Sequence, residues 1–378
     1  MPTLQELAAD LAAGRATSEQ LVEECLARIA DPDGEGERVY LEVDADGARE
    51  AARASDALRR ARAEPSPYAG IPVSVKDLFD VRGQVTRAGS LALDGAPARS
   101  DATAVARLRR AGMVVLGRTN MTEFAFSGLG VNPHHGTPAN PWDRGRGRIP
   151  GGSSSGAAVS VTDAMAHAGL GTDTGGSCRI PAALSGLVGF KPTQRRVPRD
   201  GVIPLSPTLD AVGVLARSVG CCAVLDAILA GDDPGSPQPL VRPPRLAVPQ
   251  NYVLGDVDET VRAAFDRAST RLAAAGAELV AIELPALDRI PDMSSGGGFA
   301  AAEAFAWHAD LIAARGSEYD PRILARISRG ERQTARDLLD LQARRAELID
   351  DVRAGLAGFD GFVCPTVPVV APALDALV

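Results

Sequence analysis

The sequence is poor in the residues that many catalytic and structural sites require. Only four histidines and five cysteines occur in 378 residues, and aromatic residues make up 4% of the chain. The cysteines lie at scattered positions without a pair of CxxC motifs, so neither a structural zinc site nor a disulfide framework is indicated. We therefore expect a protein of a reducing compartment in which catalysis depends little on histidine.

Long hydrophobic runs and an excess of positive charge are also missing. No apolar stretch approaches the ~20 residues of a membrane-spanning helix. The first residues carry Glu6 and Asp10 and do not resemble a secretory signal. The 48 acidic residues exceed the 40 basic ones, and the net charge is −8. Because a binder of duplex nucleic acid or of an anionic membrane needs a basic face, we predict a cytoplasmic protein that binds neither.

The chain does contain short apolar runs that alternate with helical segments. Hydrophobic residues are 45% and charged residues 23% of the chain, which is typical of a globular protein. We predict one domain with an N-terminal helical part (1–64), a catalytic core (65–231), a proline-rich connection (232–244) and an α/β remainder (245–378). The predicted strands are 71–76, 113–116, 167–171, 246–248, 279–284 and 361–364. The predicted helices include 104–110, 154–166, 180–184, 219–230, 261–272 and 334–356. Strands joined by helical crossovers indicate an α/β sheet that is covered on both faces.

Two clusters of glycine and serine stand out, at 151–156 (GGSSSG) and 171–177 (GTDTGGS). Glycine permits positive φ angles and close backbone approach, and consecutive amides in such a turn can bind an anion. Because a helix is predicted directly after the second cluster, its amides suit the oxyanion hole of a nucleophile. A flexible loop is the commoner meaning of one such cluster. Neither cluster contains a Walker phosphate-binding motif or a G-x-G-x-x-G dinucleotide motif.

A nucleophile elbow is a second interpretation of the first cluster. Residues 152–156 fit the pattern G-x-S-x-G, and the chain order would allow a triad of Ser154, Asp210 and His308. Such an elbow requires a strand directly before it, whereas residues 143–150 (DRGRGRIP) are unsuited to a buried strand. A histidine-dependent serine esterase therefore stays an alternative, although no strand is predicted before its elbow.

The two clusters, taken together with Lys76, resemble the amidase signature family, and the likeness covers most of the chain. The matching motifs are 72–77 (PVSVKD), 117–124 (GRTNMTEF), 140–142 (NPW), 151–156 (GGSSSG), 171–177 (GTDTGGS), 189–193 (GFKPT) and 364–368 (CPTVP). The resemblance implies a single α/β/α sandwich with a large mixed central sheet flanked by helices. Family members usually continue well beyond the segment that matches 364–368. Since this chain ends at Val378, we expect the C-terminal part of the family fold to be absent from it.

The resemblance assigns catalytic roles residue by residue. Ser177 matches the family nucleophile, Ser153 matches a bridging serine that follows a cis peptide bond, and Lys76 matches the base. The amides that match the oxyanion hole are those of Thr174, Gly175, Gly176 and Ser177. Residues for which a substrate-binding or supporting role is open are Asp173, Arg179 and Ser154. Cys178, beside the nucleophile, is interpreted as a small packing residue.

A lysine base is chemically reasonable only if its amine is neutral. Lysine in water has a pKa of about 10.4, and lowering it to about 7–8 requires about 4 kcal/mol of preference for the neutral form. Burial of the amine can supply that preference, and Lys76 ends an apolar strand. The Ser153 hydroxyl both donates and accepts, so it can pass a proton between Ser177 and Lys76 and later to the leaving amine.

We therefore predict an amidase that acts on a small-molecule amide through an acyl-enzyme on Ser177, without a metal or organic cofactor. A homodimer is an open oligomeric state. Three alternatives remain at this point. The first is the glutaminase-type A subunit of a glutamyl-tRNA amidotransferase, in which partner subunits hold the tRNA. The second is the histidine-dependent esterase, and the third is a non-catalytic scaffold protein that keeps the motifs.

Overall fold

The computed structural model describes residues 2–235 and 240–377. It contains two compact units. The first comprises Met1–Pro237, Asp310–Leu324 and Ala373–Val378, and the second comprises Gln238–Ala309 and Ala325–Pro372. The predicted organisation as a single domain stays a prediction. Part of the predicted proline-rich connection, residues 236–239, lies outside the described residues.

Helices and strands alternate along the chain. The helices are α1 (Leu4–Ala12), α2 (Ser18–Ile29), α3 (Gly36–Val39), α4 (Ala45–Arg60), α5 (Thr103–Arg110), α6 (Ser155–Thr162), α7 (Arg179–Ser185), α8 (Val219–Ala230), α9 (Glu259–Ala274), α10 (Ile290–Ser294), α11 (Gly298–Arg315), α12 (Pro321–Ile327) and α13 (Ala335–Gly355). The strands are β1 (Tyr40–Val43), β2 (Pro72–Lys76), β3 (Val114–Thr119), β4 (Ala168–Asp173), β5 (Val188–Phe190), β6 (Ala211–Ala216), β7 (Arg245–Pro249), β8 (Glu278–Ile282) and β9 (Gly361–Phe362).

The first unit is built on a six-stranded sheet with the strand order β1-β3-β2-β4-β6-β5. Strand β2 pairs in parallel with β3 and β4, whereas the pairs β1–β3, β4–β6 and β5–β6 are antiparallel. Every residue of β2, β3, β4 and β6 is buried. Their sequences are apolar except for Ser74 and a few polar residues at the strand ends, and this fits their burial because a strand covered on both faces shows no alternation. The predicted α/β fold, with a mixed central sheet flanked by helices, is confirmed.

Local sequence signals explain where several helices begin and end. Thr17 and Gln20 form a capping box at the start of α2, in which the Gln20 amide donates to Thr17 Oγ1 at 3.1 Å and the Thr17 amide donates to Gln20 Oε1 at 2.9 Å. Ser218 caps α8, which ends at Gly231 in the left-handed conformation. The residue types at these helix ends thus explain where the two helices begin and where α8 ends.

The second unit contains a three-stranded parallel sheet with the order β8-β7-β9. Strands β7 and β8 are connected through α9, which is the strand–helix–strand unit predicted between 246 and 284. The strands are only partly buried, and helix α9 has no buried residue. Helix α13 extends close to the predicted bounds and buries Leu341.

Two predictions of secondary structure differ from the structure. The N-terminal part, predicted as helical, includes the edge strand β1, which pairs with β3 through Tyr40 and Thr119. Four residues are too few to show a strand periodicity in the sequence. The helix predicted over 154–166 ends at Thr162, and Ala164 then adopts a φ of 59°. A left-handed residue breaks the helical path although alanine favours helices.

Candidate active site

Lys76 lies at the end of β2 and is completely buried. The strand before it is apolar except for Ser74, and β2 lies between β3 and β4 in the sheet. The Nζ atom donates to Ser153 Oγ at 2.7 Å and to Thr172 Oγ1 at 3.0 Å. Two neutral hydroxyls thus hold this amine, and among the described residues no carboxylate lies within ion-pair distance of it.

Burial lowers the pKa of Lys76 to about 8. The carboxylates of Asp173 and Asp210 act in the opposite direction, but they do not offset the desolvation. A substantial fraction of the amine is therefore neutral near pH 8, which is the state that a general base requires. Lys76 is thus buried, as the sequence predicts, and its role as a base stays a prediction.

Ser153 lies in the loop that leads into α6, and its side chain is fully buried. The peptide bond between Gly152 and Ser153 is cis, as the resemblance implies. Gly152 must be a glycine, because a Cβ atom there would lie 2.5 Å from the backbone nitrogen of Gly130. The Ser154 amide donates to the carbonyl of Ser177 at 3.3 Å. This bond brings the first cluster of glycine and serine against the second one.

Ser177 follows β4 and precedes α7, in a turn that the second cluster makes. Gly176 has a φ of 131°, a conformation that glycine adopts most readily, and a Cβ atom there would lie 2.6 Å from Ile180 Cδ1. Ser177 is 6% exposed, so its side chain is largely buried but retains some access to solvent. The strand, the turn and the helix together position this serine.

Asp173 organises the turn around Ser177. Its carboxylate accepts hydrogen bonds from the amides of Gly176 at 2.8 Å and Cys178 at 3.1 Å. The Arg179 guanidinium pairs with it through two bonds of 2.9 and 2.7 Å. Burial alone would raise the pKa of Asp173, but the Arg179 pair and the amide donors hold it below its usual value. Asp173 therefore carries a negative charge, and its hydrogen bonds to the amides hold the backbone of the turn in place.

One amide of the predicted oxyanion hole is already engaged in this structure, and the assignment of the hole stays a prediction. The Gly176 amide donates to Asp173 Oδ1, so it is not available to a substrate oxygen in this structure. The amides of Gly175 and Ser177 form no hydrogen bond within residues 2–235 and 240–377. Thr174 donates its hydroxyl to Asp210 at 2.5 Å, which holds the other side of the turn. The amides of Gly175 and Ser177 are thus unengaged donors beside Ser177 Oγ, and the Thr174 amide stays part of the predicted hole.

The hydroxyls of the two candidate serines are not hydrogen-bonded to each other. Ser153 Oγ accepts from Lys76, whereas Ser177 Oγ has no hydrogen bond among the described residues. The backbone bond between Ser154 and Ser177 already holds the two segments together.

The histidine-dependent elbow finds no support in this geometry. Residues 120–154 contain no strand, so Ser154 lacks the strand that an elbow requires. The carboxylate of Asp210 accepts from Thr174 Oγ1 and from the amides of Leu205 and Ser206. Three donors from its own unit occupy this acid, and Ser154 Oγ donates to a backbone carbonyl instead.

Two features beside Lys76 were not found by sequence reasoning. Thr172 holds the amine, and its position could have been found from the parallel register, in which Val75 lies opposite Leu170. Asp77 and Arg118 form a fully buried ion pair of 2.6 Å directly after Lys76. Asp77 also accepts from the Gly89 amide at 2.8 Å, so the pair holds the end of β2. The only signal for this ion pair in the sequence was a charged residue, Asp77, at the end of an apolar motif.

Cys178, beside the candidate nucleophile, is not placed as a reactive thiol. Cys178 is fully buried, and burial raises the pKa of its thiol well above the usual value. This agrees with its interpretation as a small packing residue.

Across the described part of the chain, no group of three or more His, Cys, Asp or Glu side chains could hold a metal ion. None of the described helices has the length and hydropathy to cross a membrane.

The chain matches known proteins along nearly its whole length. A family model described as Amidase matches residues 20–378. The 2-amino-5-chloromuconic acid deaminase of Comamonas testosteroni is 40% identical over 342 residues, which cover 89% of this chain and 73% of that protein. The A subunit of a glutamyl-tRNA(Gln) amidotransferase from Anaeromyxobacter sp. (strain K) is 44% identical over 297 residues, which cover 75% of this chain. The match spans 60% of the length of that relative.

The structure also resembles solved structures. A crystal structure described as that of an amidase has a TM-score of 0.91 at 36% sequence identity, with 99% of this chain and 84% of that chain covered. Hydrolysis of an amide C–N bond is the activity that the family match and these relatives support.

Proposed function

The chain belongs to the amidase signature family, and from this membership we propose that it hydrolyses amides through an acyl-enzyme on Ser177. Lys76 is the proposed base and Ser153 the proposed proton relay. The observation that carries the proposal is the contact of 2.7 Å between Lys76 Nζ and Ser153 Oγ in a fully buried position. An amine with a pKa of about 8 can accept a proton there at neutral to mildly alkaline pH.

The first chemical step is acylation. Ser177 Oγ attacks the carbonyl carbon of the substrate while its proton passes to Ser153, and the proton of Ser153 passes to Lys76. The substrate oxygen becomes an oxyanion, which the amides of Gly175 and Ser177 stabilise. The protonated lysine then returns a proton through Ser153 to the leaving nitrogen. The C–N bond breaks, ammonia or an amine departs, and the acyl group remains on Ser177.

The second step is deacylation by water. A water molecule attacks the acyl carbon while it loses a proton through Ser153 to neutral Lys76. The bond between the acyl carbon and Ser177 Oγ breaks, and the serine recovers its proton from the same relay. A carboxylic acid is released, which gives its proton to the free amine or to solvent, and the residues return to their starting protonation states. Besides the amide, only water is consumed.

A fluorophosphonate probe and an amide panel test this proposal together. We expect the wild-type chain to react with the probe at Ser177 and to hydrolyse at least one small-molecule amide. Ser177→Ala should lose both properties, whereas Ser269→Ala, on helix α9 of the second unit, should keep them. Probe labelling of Ser177→Ala at the wild-type rate, or amide turnover by that variant, would contradict the proposal.

The glutaminase of an amidotransferase is a second candidate, because the amidotransferase relative is 44% identical over 297 residues. In that case the substrate would be glutamine and the ammonia would be used by partner subunits. Glutamine hydrolysis that appears only after partner subunits have been added would favour this candidate. Hydrolysis of other amides by the chain alone would favour the stand-alone enzyme. A cytoplasmic location and a homodimer stay predictions under both.

A further inference from the structure

A groove of about 530 Å³ opens on the second unit. Its walls are residues 293–298, the 3-10 turn Ser328–Arg332, and one face of α13. Three arginines line it: Arg329, Arg332 and Arg344. The cavity, here called the arginine groove, lies wholly within this unit.

The local geometry directs these side chains to one place. Asp337, Asp340, Leu341 and Arg344 recur at intervals of three and four residues, so they share one face of α13. Arg329 and Arg332 are three residues apart in a 3-10 turn, where side chains at that spacing are eclipsed. The arrangement therefore follows from the helical periodicities of both elements.

The opposite wall is held in place by a side-chain amide. Gln333 Nε2 donates to the carbonyls of Gly296 at 2.9 Å and Gly298 at 3.2 Å. The floor is apolar, because Leu341 is buried and Met293 is half-buried. The arginine groove is thus a formed cavity with a hydrophobic base and a polar rim.

The three arginines of the arginine groove have no carboxylate partner among the described residues. Within the described part of the chain, Arg329, Arg332 and Arg344 form no ion pair and no side-chain hydrogen bond. On the same helix α13, by contrast, Arg353 pairs with Asp350 at 3.4 Å. Three guanidinium groups in one cavity repel each other, and they form a local positive site in a chain whose net charge is −8.

The two acids of the arginine groove are engaged elsewhere. Asp337 accepts from the amide and the hydroxyl of Thr334 at 2.8 and 2.7 Å, because it belongs to the capping box of α13. Asp340 lies 3.8 Å from Arg336 Nε. The lining therefore carries three arginines and two aspartates, and its formal net charge is positive by one.

We propose that the arginine groove binds a small organic anion that carries a phosphate group or several carboxylates. Guanidinium groups bind both kinds of oxygen anion through paired hydrogen bonds. The floor of Met293 and Leu341 accommodates the hydrocarbon part of such a ligand. A nucleic-acid strand would need an extended basic stripe, whereas these arginines share one cavity with Asp337 and Asp340.

Binding is tested on the full chain with inorganic phosphate and with citrate as probes, at constant ionic strength. Calorimetric titration should show saturable binding of at least one of them, and sodium chloride should not replace it. Arg332→Gln and Arg344→Gln should each weaken binding about tenfold, since each removes one charge-assisted contact. Arg271→Gln, an exposed arginine on α9 in the same unit, should leave the affinity unchanged.

The outcomes separate the ligand sources and can overturn the proposal. Binding of phosphate alone supports a phosphate-bearing ligand, and binding of citrate alone supports a polycarboxylate. Equal affinity of the wild type and the double variant of Arg332 and Arg344 would overturn the assignment. An oligonucleotide that binds more tightly than both probes, with the same arginine dependence, would overturn the small-molecule proposal. Amide hydrolysis is not the readout, so the result is independent of the proposed function.

Discussion

The sheets of the two units differ in how completely the protein shields them from water. In the first unit, all residues of β2 and β4 are buried, and these strands carry Lys76, Thr172 and Asp173. In the second unit, β7 and β8 are only partly buried, and helix α9 buries none of its residues. The sheet of the first unit thus shields its side chains from water, whereas most side chains in the sheet of the second unit are partly exposed to it.

The comparison shows that the burial of an ionisable side chain decides whether its pKa is shifted. In the first unit, the cost of desolvation lowers the pKa of Lys76 to about 8. In the second unit, ion pairs such as Arg353 with Asp350 are 76% exposed on both sides and stay solvated. A chemical role for an amine therefore depends on burial and not on the residue type alone. The variants below compare matched residues in the two environments.

The largest expected difference is in catalysis. Ser177→Ala should lower kcat/KM by at least about 10⁴-fold, since removal of a nucleophile abolishes the acyl-enzyme route. Ser269→Ala, on helix α9, should change kcat/KM by less than about twofold, because surface substitutions have small effects. Steady-state hydrolysis of the best amide substrate measures both. A similar loss in the two variants would mean that the effect on Ser177 is one of folding.

The next difference concerns ion pairs. Asp77→Ala should lower the free energy of unfolding by about 3–5 kcal/mol, because it leaves the buried guanidinium of Arg118 without its partner. Asp350→Ala removes an exposed pair and should cost less than about 0.5 kcal/mol. Denaturation with urea, followed by circular dichroism, compares the two. Equal costs would contradict the contrast in burial.

Hydrophobic packing should differ in the same direction. Leu225→Ala, in helix α8, removes a side chain that is 2% exposed and should cost about 2–4 kcal/mol. Leu272→Ala, in helix α9, removes one that is 38% exposed and should cost less than about 1 kcal/mol. The melting temperatures of both variants provide the measurement. A larger loss for Leu272 would show that α9 is covered in solution.

The smallest expected effect is at Thr172. Thr172→Val removes the hydroxyl that accepts a hydrogen bond from Lys76, and kcat/KM should fall about tenfold. The loss of an acceptor disfavours the ammonium form, so the pKa of the rising limb of the pH profile should move down. Thr270→Val, on α9, should leave the pH profile unchanged. If the pKa of the rising limb were the same in Thr172→Val as in the wild type, Thr172 would have no influence on the protonation of Lys76.

The sequence predicts much of the site because the site depends on short motifs. The roles of Lys76, Ser153 and Ser177 are those that the family resemblance implies for the motifs in which they lie, and they stay predictions. The apolar residues before Lys76 predicted its burial. The α/β sheet followed from continuous apolar runs separated by helices. The strand–helix–strand unit of the second sheet followed from the same periodicity.

The remaining details depend on geometry that no local pattern encodes. The contact between Thr172 and Lys76 requires the register of two parallel strands that are about 90 residues apart in the chain. The capture of the Gly176 amide by Asp173 requires the φ of 131° at Gly176, which is one of several conformations open to glycine. The edge strand β1 forms because β3 offers it a partner, and its own four residues show no strand pattern.

The pKa of Lys76 is the quantity on which the proposed mechanism depends. The chain contains only two lysines, Lys76 and Lys191, so lysine labelled with ¹³C at Cε produces two side-chain signals. In the variant Lys191→Arg only one of the two signals remains, and that signal belongs to Lys76. The chemical shift of that signal, followed against pH by NMR, reports the protonation of the amine directly. The same variant shows whether kcat/KM rises with pH along the same curve.

The account predicts a midpoint at about pH 8 for the Lys76 signal, with kcat/KM rising through the same pH as the amine loses its proton. A midpoint near 10.4, the pKa of lysine in water, would contradict it, because Lys76 would then be charged and unable to accept a proton from Ser153.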